Sequence, residues 1–184
     1  YVAHRRTAWG LDGAPVVVGL NTGCSELFPY KKLPVEVQAR LAEDLTARHP
    51  GARVILLGGP EDAERNRTIA DRCRVPVLET PCDEGLRRGI QYLELADVVV
   101  TGDSLGMHLA IGRRKRVVAW FGLTCPQEID FFDRGEAVVA RVECGPCWQR
   151  TCDQPVKCFE RVDADELLAA AGRMISAARE EKGT

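Results

Sequence analysis

The 184-residue sequence lacks an apolar segment long enough to span a membrane. Its longest apolar runs are about five or six residues, whereas a transmembrane helix needs ~20. It also lacks a positively charged leader before a hydrophobic stretch, and its formal net charge of -2 gives no overall basic field. We therefore expect a cytoplasmic domain that is not transmembrane and has no nucleic-acid partner. The basic cluster 113–116 is interpreted as a solvated helix end.

Two common phosphate-binding motifs are missing as well. No Gly-x-Gly-x-x-Gly follows the first apolar run, so a nicotinamide or flavin site is unsupported. No Gly-x4-Gly-Lys-Ser/Thr segment is present to form a P-loop. A ligand site must therefore be sought in other loops.

What the sequence does have is a regular alternation of strand and helix patterns. Continuous apolar, β-branched runs predict buried strands, and between them lie helical patterns with capping signals. This order predicts an α/β, Rossmann-like, doubly wound parallel sheet whose ligand site lies outside the strand carboxyl ends. The predicted strands are 14–20, 52–59, 75–80, 97–102 and 116–122, and the predicted helices are 34–50, 61–72, 85–96 and 104–112.

We expect a single domain over residues 1–184, with two irregular parts. Residues 1–13 show no periodicity and are interpreted as an irregular lead-in or linker. Residues 123–161 are interpreted as an irregular segment with one short strand candidate, 137–141. A closing helix is predicted over 163–181, with Asp163 as its N-cap and Glu166 at the capping-box position. Because the first residue is not methionine, the chain is interpreted as an excerpt.

Polar residues follow the first two predicted strands. After the first, Thr22, Gly23 and Lys31 could form a cradle for phosphate, or the loop could be a turn with solvated lysines. After the second, "GGPED" offers Glu61 to sugar hydroxyls, although Gly-Gly-Pro is also common in turns.

The segment "DVVVTGDSLGMHLA" after the fourth strand is the most informative. Asp103 or Ser104 could simply cap the next helix. Gly106 in the first helical turn costs up to ~1 kcal/mol relative to alanine, which suggests that something approaches the helix there. His108 lies one turn beyond Ser104 on the same face, either as a packed or capping residue or as part of a ligand site.

The stretch "ADVVVTGDSLGMHLAIGRRKRVVAWFG" resembles a motif of glycosyltransferase family 9, the ADP-heptose:lipopolysaccharide heptosyltransferases and their relatives. "KKLP" is similar to the family's Lys-x-Trp-Pro and "LLGGPED" to its Gly-Gly-x-x-Glu, so the resemblance covers roughly residues 14–177. It implies the carboxyl-terminal half of a GT-B fold, which binds a nucleotide sugar such as ADP-heptose. Leu105 and Leu33 depart from the family's glycine and tryptophan.

The resemblance also implies roles for the polar residues. Thr22 and Lys31 would contact the donor diphosphate, Glu61 the nucleoside, and Asp103 the transferred sugar. Phosphate would be held by Ser104, Gly106 and the helix N-terminus, with His108 close to them.

The reaction that the resemblance implies is inverting sugar transfer to a lipopolysaccharide core or similar glycan acceptor. No metal is expected for the transfer. The base would belong to an N-terminal acceptor-binding domain outside this chain, so we expect no catalytic residue here and donor binding without transfer. The full-length protein would then work at the inner face of the bacterial inner membrane. The alternative hypothesis is a non-catalytic nucleotide-binding or metal-stabilised interaction module.

Four of the eight cysteines fall within fifteen residues, in "CGPCWQRTCDQPVKC". Their spacing suits a tetrahedral four-sulfur site for structural zinc or iron, and two disulfides or free thiols are the alternatives. The segment is interpreted as a cysteine-rich finger insertion, similar to one associated with iron in some members of the family. The predicted ligands are Cys144, Cys147, Cys152 and Cys158.

Overall fold

A computed structural model describes residues 1–183 and shows one parallel sheet with the strand order β3-β2-β1-β4-β5-β6. This is the doubly wound order of Rossmann-like folds, so the predicted fold class is confirmed. The strands are β1 Val17–Asn21, β2 Arg53–Leu57, β3 Val77–Glu79, β4 Val98–Gly102, β5 Arg116–Phe121 and β6 Gly135–Val139. The α-helices are α1 Val2–Ala8, α2 Val35–Arg48, α3 Ala63–Arg72, α4 Leu86–Leu93, α5 Leu105–Gly112 and α6 Ala164–Lys182.

The strands are apolar throughout because both faces of the sheet are covered. Successive side chains of a strand point to opposite faces, and Val18 accordingly packs with residues of α2 and α6 while Val17 packs with residues of α4 and α5. Both valines are fully buried. This two-sided burial places the loops at the carboxyl ends of the strands on a rigid support.

The closing helix begins with the predicted N-cap, but in the described structure Glu166 does not complete a capping box. The Asp163 carboxylate accepts hydrogen bonds from the backbone N–H groups of Asp165 and Glu166, at 3.0 and 3.1 Å. The Glu166 carboxylate contacts the Arg141 guanidinium at 3.3 Å. The helix ends at Gly183, whose left-handed φ of 71° suits glycine.

The prediction of an irregular segment over residues 1–13 is wrong for residues 2–8, which form α1. The residues that follow α1 are anchored to the core: Leu11 is buried and the Trp9 ring stacks on Tyr92 at 5.5 Å. A helix of seven residues completes fewer than two turns, so it shows too little of the helical period to be recognised in the sequence.

The segment 123–161 contains more ordered structure than predicted. Its strand, β6, begins at Gly135 and not at residue 137, and it pairs in parallel with β5. Short 3-10 helices form at Pro126–Glu128 and Cys158–Arg161. Among the residues described, no helix has both the length and the apolar character needed to cross a membrane.

Candidate functional site

A cavity of about 600 Å³ opens at the carboxyl ends of β1, β2 and β4. It lies at the point where the strand order reverses between β1 and β4, which is where ligands bind in open α/β sheets. One part of its wall is polar, with Lys31, Asp103 and Ser104, and another part is apolar, with Pro81 and Leu86. Seven of the eight donor-site residues that the sequence predicts line it: Gly23, Lys31, Glu61, Asp103, Ser104, Gly106 and His108.

The polar wall is built around an ion pair. Lys31 Nζ lies 2.6 Å from Asp103 Oδ2, and the two side chains are only 16% and 15% exposed. His108 Nε2 lies 3.9 Å from the other carboxylate oxygen of Asp103. The pair therefore holds one cation and one hydrogen-bond acceptor at fixed positions beside the cavity.

The first turn of α5 forms the adjoining part of the wall. Ser104 is the extended N-cap residue, and its hydroxyl accepts a hydrogen bond from Asn21 Nδ2 at 3.0 Å. Asn21 also packs under Gly106, where an added Cβ would lie 2.7 Å from the Asn21 side chain. Glycine is therefore needed for close packing against β1. Helix N-termini leave backbone N–H groups without intrahelical partners, so this end of α5 favours an anion.

Thr22 does not reach the cavity. Its side chain is buried, and its hydroxyl donates a hydrogen bond to Asn66 Oδ1. Thr22 is not among the residues that line the cavity. The neighbouring Gly23 does line the cavity and rests on Asp62, where an added Cβ would come within 1.9 Å of the carboxylate. The loop after β1 is thus supported by Asp62, which packs against Gly23, and by Asn66, which accepts a hydrogen bond from Thr22.

Asp62 supports the loop after β1, and the sequence analysis did not select it as a site residue. Its carboxylate is 6% exposed, accepts a hydrogen bond from Gly59 N at 3.0 Å and lies 3.1 Å from Lys32 Nζ. Glu61, which the sequence analysis selected, is exposed at the cavity wall. The spacing could have identified Asp62, because the pattern Gly-Gly-x-x-acid places its acid there.

Arg65 is a second missed residue and joins two loops. Its guanidinium donates to the backbone oxygens of Thr22, at 3.1 Å, and of Leu33. Burial lowers the pKa of Arg65, and Asp62 opposes that effect. The loops before and after Lys31 are therefore tied to α3, which fixes the base of the lysine side chain.

Cys24 and Cys82 also line the cavity. Burial raises the pKa of both thiols above the ordinary value, and Lys32 and Lys31 only partly offset this for Cys24. A raised pKa keeps a thiol protonated at neutral pH, and the protonated form is a poor nucleophile. This arrangement disfavours a covalent cysteine mechanism.

The predicted four-sulfur site is not assembled. Within residues 1–183, no three His, Cys, Asp or Glu side chains are arranged to hold a metal ion. All eight cysteines are free, so neither disulfide of the alternative interpretation is formed. Cys144 is exposed, whereas the other three predicted ligands, Cys147, Cys152 and Cys158, are half-buried. All four nevertheless line one cavity of about 20 Å³.

Comparison with known proteins finds similarity over most of the chain. The sequence profile of glycosyltransferase family 9 (heptosyltransferase) matches residues 6–157. Lipooligosaccharide heptosyltransferase 2 of Campylobacter jejuni is 23% identical over 175 residues, which cover 86% of this chain and 51% of that protein.

Two solved structures share the fold. The glycosyl transferase family 9 protein from Veillonella parvula has a TM-score of 0.75 at 18% identity, covering 96% of this chain and 50% of that one. The E. coli ADP-heptose lipopolysaccharide heptosyltransferase II has a TM-score of 0.71 at 20% identity, with coverages of 100% and 52%. The chain therefore spans about half the length of the relatives it matches.

Proposed function

The chain belongs to glycosyltransferase family 9, and from this premise we propose that its large cavity binds the nucleotide-sugar donor of an inverting sugar transfer. ADP-heptose is the first candidate donor, because a protein of the same fold is named as an ADP-heptose heptosyltransferase. The acceptor that we propose is a lipopolysaccharide core or a similar glycan. Location at the inner face of the bacterial inner membrane stays a prediction.

The observation that carries the proposal is the Lys31–Asp103 ion pair beside the N-terminus of α5. A nucleotide sugar has an anionic diphosphate, a hydroxyl-rich sugar and a flat base. Lys31 and the α5 amides suit the diphosphate, and Asp103 can accept hydrogen bonds from sugar hydroxyls. The apolar wall with Pro81 and Leu86 suits the base. A volume of about 600 Å³ is also in the usual range for small-molecule sites.

The same arrangement can assist transfer. When the bond from the sugar to the diphosphate breaks, negative charge grows on the departing nucleoside diphosphate. Lys31 is already held in place by Asp103, so it would stabilise this charge with little reorganisation. The α5 N-terminus would act in the same direction. No step of this scheme needs a metal ion.

The remaining catalytic group would come from elsewhere. Inverting transfer needs a base that removes the proton from the acceptor hydroxyl, and we propose that an N-terminal acceptor-binding domain supplies it. This chain would then bind donor without transferring sugar by itself. A non-catalytic nucleotide-binding module would also bind the nucleoside diphosphate, but it would not bind the sugar conjugate more tightly.

Calorimetry with ADP, UDP, GDP and their sugar conjugates tests the proposal. We expect heat of binding for at least one nucleoside diphosphate and tighter binding of its sugar conjugate. An intact fold with no heat for any of the three diphosphates would refute the donor site. Binding of a diphosphate with no gain from any sugar would instead favour the non-catalytic module.

We also propose that the four clustered cysteines take up one structural zinc or iron ion. Their thiols suit either metal and share one cavity of about 20 Å³, although their side chains do not adopt a ligating arrangement. With four cysteine ligands no open coordination position would remain, so the role would be structural. Elemental analysis of protein purified without chelator is the test. A combined content of zinc and iron below about half an equivalent per chain would contradict the proposal.

A further inference from the structure

Two cations face the same aromatic ring at the edge of the donor cavity. Lys31 Nζ lies 5.0 Å from the centroid of the Phe28 ring, and the Arg150 guanidinium carbon lies 5.5 Å from it. Phe28 itself lines the cavity. The two charges are therefore at most 10.5 Å apart, the sum of those distances.

The two cations differ in their partners. Lys31 is paired with Asp103 at 2.6 Å. Arg150 is exposed, and in the part of the chain that the structure describes its side chain interacts only with Phe28. A guanidinium on a ring face is attracted by the ring quadrupole, but its five N–H donors stay available for an anion.

Arg150 belongs to the cysteine segment, residues 144–161, and this segment is packed against the loop that carries Lys31. The Tyr30 and Phe159 rings stack with centroids 6.3 Å apart and an angle of 12° between their planes. Lys157 Nζ lies 5.8 Å from the centroid of the same Tyr30 ring. Cys158 Sγ contacts the Tyr30 carbonyl oxygen at 3.9 Å. The contacts at Tyr30 hold the segment beside the mouth of the cavity.

Lys31 has an anionic partner in Asp103, whereas Arg150 has none among the residues that the structure describes. A diphosphate carries charge on both phosphates, whereas Lys31 alone supplies one cation and shares it with Asp103. The guanidinium can make paired hydrogen bonds to phosphate oxygens. We propose that Arg150 is a second cation for the diphosphate of the donor, delivered by the cysteine segment. This inference rests on the proposed donor site and adds a residue from outside the strand-end loops.

The test compares ADP with adenosine in calorimetric titrations of the wild type and the Arg150→Gln variant. We expect ADP to bind about fivefold more weakly to the variant, while adenosine binds equally to both proteins because it has no phosphate. The dependence of ADP affinity on salt concentration should also become weaker. Arg150→Lys keeps the charge and should recover part of the ADP affinity.

Arg161→Gln is the matched control, since it removes an exposed arginine of the same segment and should leave ADP affinity unchanged. Equal ADP affinity in wild type and Arg150→Gln overturns the role of Arg150 and leaves the donor site intact. Equal losses for ADP and adenosine also overturn it, because the residue would then act on the shape of the cavity. If the wild type binds no nucleoside diphosphate, the proposed function fails together with the inference.

Discussion

Replacing Gly23 by alanine tests the support beneath the loop after β1. An added Cβ would lie 1.9 Å from the Asp62 carboxylate, a distance that real atoms do not tolerate. Asp62 must therefore move away from its two partners, the Gly59 N–H at 3.0 Å and Lys32 Nζ at 3.1 Å. The substitution should break both of these contacts.

The expected cost follows from these contacts. Loss of a hydrogen bond to a buried carboxylate costs about 2 kcal/mol, and loss of the partly exposed ion pair costs about 1 kcal/mol. Alanine offsets about 0.7 kcal/mol by restricting the unfolded chain. This offset applies because Gly23 is not in the left-handed region. We expect Gly23→Ala to lower the free energy of unfolding by about 2 kcal/mol, measured by urea denaturation.

Two further variants make this prediction specific. Gly59→Ala is the control, because its Cβ would lie 4.0 Å from Asp62 Oδ2 in an extended backbone. It should not lower stability, and it should raise the free energy of unfolding by about 0.7 kcal/mol through the same restriction of the unfolded chain. In an Asp62→Ala background the carboxylate that the added Cβ would meet is gone, so Gly23→Ala should cost much less there. An equal cost in both backgrounds would refute the reasoning.

Three other changes probe the site and the fold. Asp103→Ala should weaken nucleotide-sugar binding more than ADP binding in calorimetry, and equal losses would contradict the proposed contact of Asp103 with the sugar. Leu105→Ala should leave the free energy of unfolding within about 0.5 kcal/mol of wild type, because Leu105 is 61% exposed at the cavity wall; a larger loss in urea denaturation would show a core role. The Arg134 guanidinium lowers the pKa of Glu181 from 4.5 to about 2. The Glu181 carboxylate therefore stabilises the folded protein fully above pH 4.5, and this contribution is lost as the pH falls through 2. Glu181→Gln should therefore cost about 1 kcal/mol at pH 7, discounted for exposure, and a thermal-melting difference that persists unchanged near pH 2 would contradict this.

The predicted elements agree closely with the structure wherever the pattern is local and repeated. Buried strands such as β4 stand out because both faces of the sheet are covered, so the apolar run is continuous. The N-cap Asp163 was predictable because capping depends on residues only two and three positions away. The helix α1 and the start of β6 were not, since one is shorter than two turns and the other lacks a clear boundary signal.

In the candidate site, too, the sequence indicated individual residues, whereas their contacts depend on the tertiary structure. The sequence indicated Lys31 and Asp103 separately, from their positions after strands, and the parallel sheet brings them to 2.6 Å although 72 residues separate them. It also placed Thr22 in the site, from its position after the first predicted strand and from the family resemblance. The structure turns that hydroxyl toward Asn66, 44 residues away.

By itself, then, the sequence determined the alternating order of elements, the parallel sheet and the edge at which a ligand site should lie. These follow from periodic burial and from the right-handed connection of parallel strands, which act over short distances along the chain. Only the tertiary structure decided that Gly23 rests on Asp62 and that Arg150 reaches Phe28. Such contacts join segments far apart in the chain, and their geometry depends on how helices and loops pack, which no local pattern encodes.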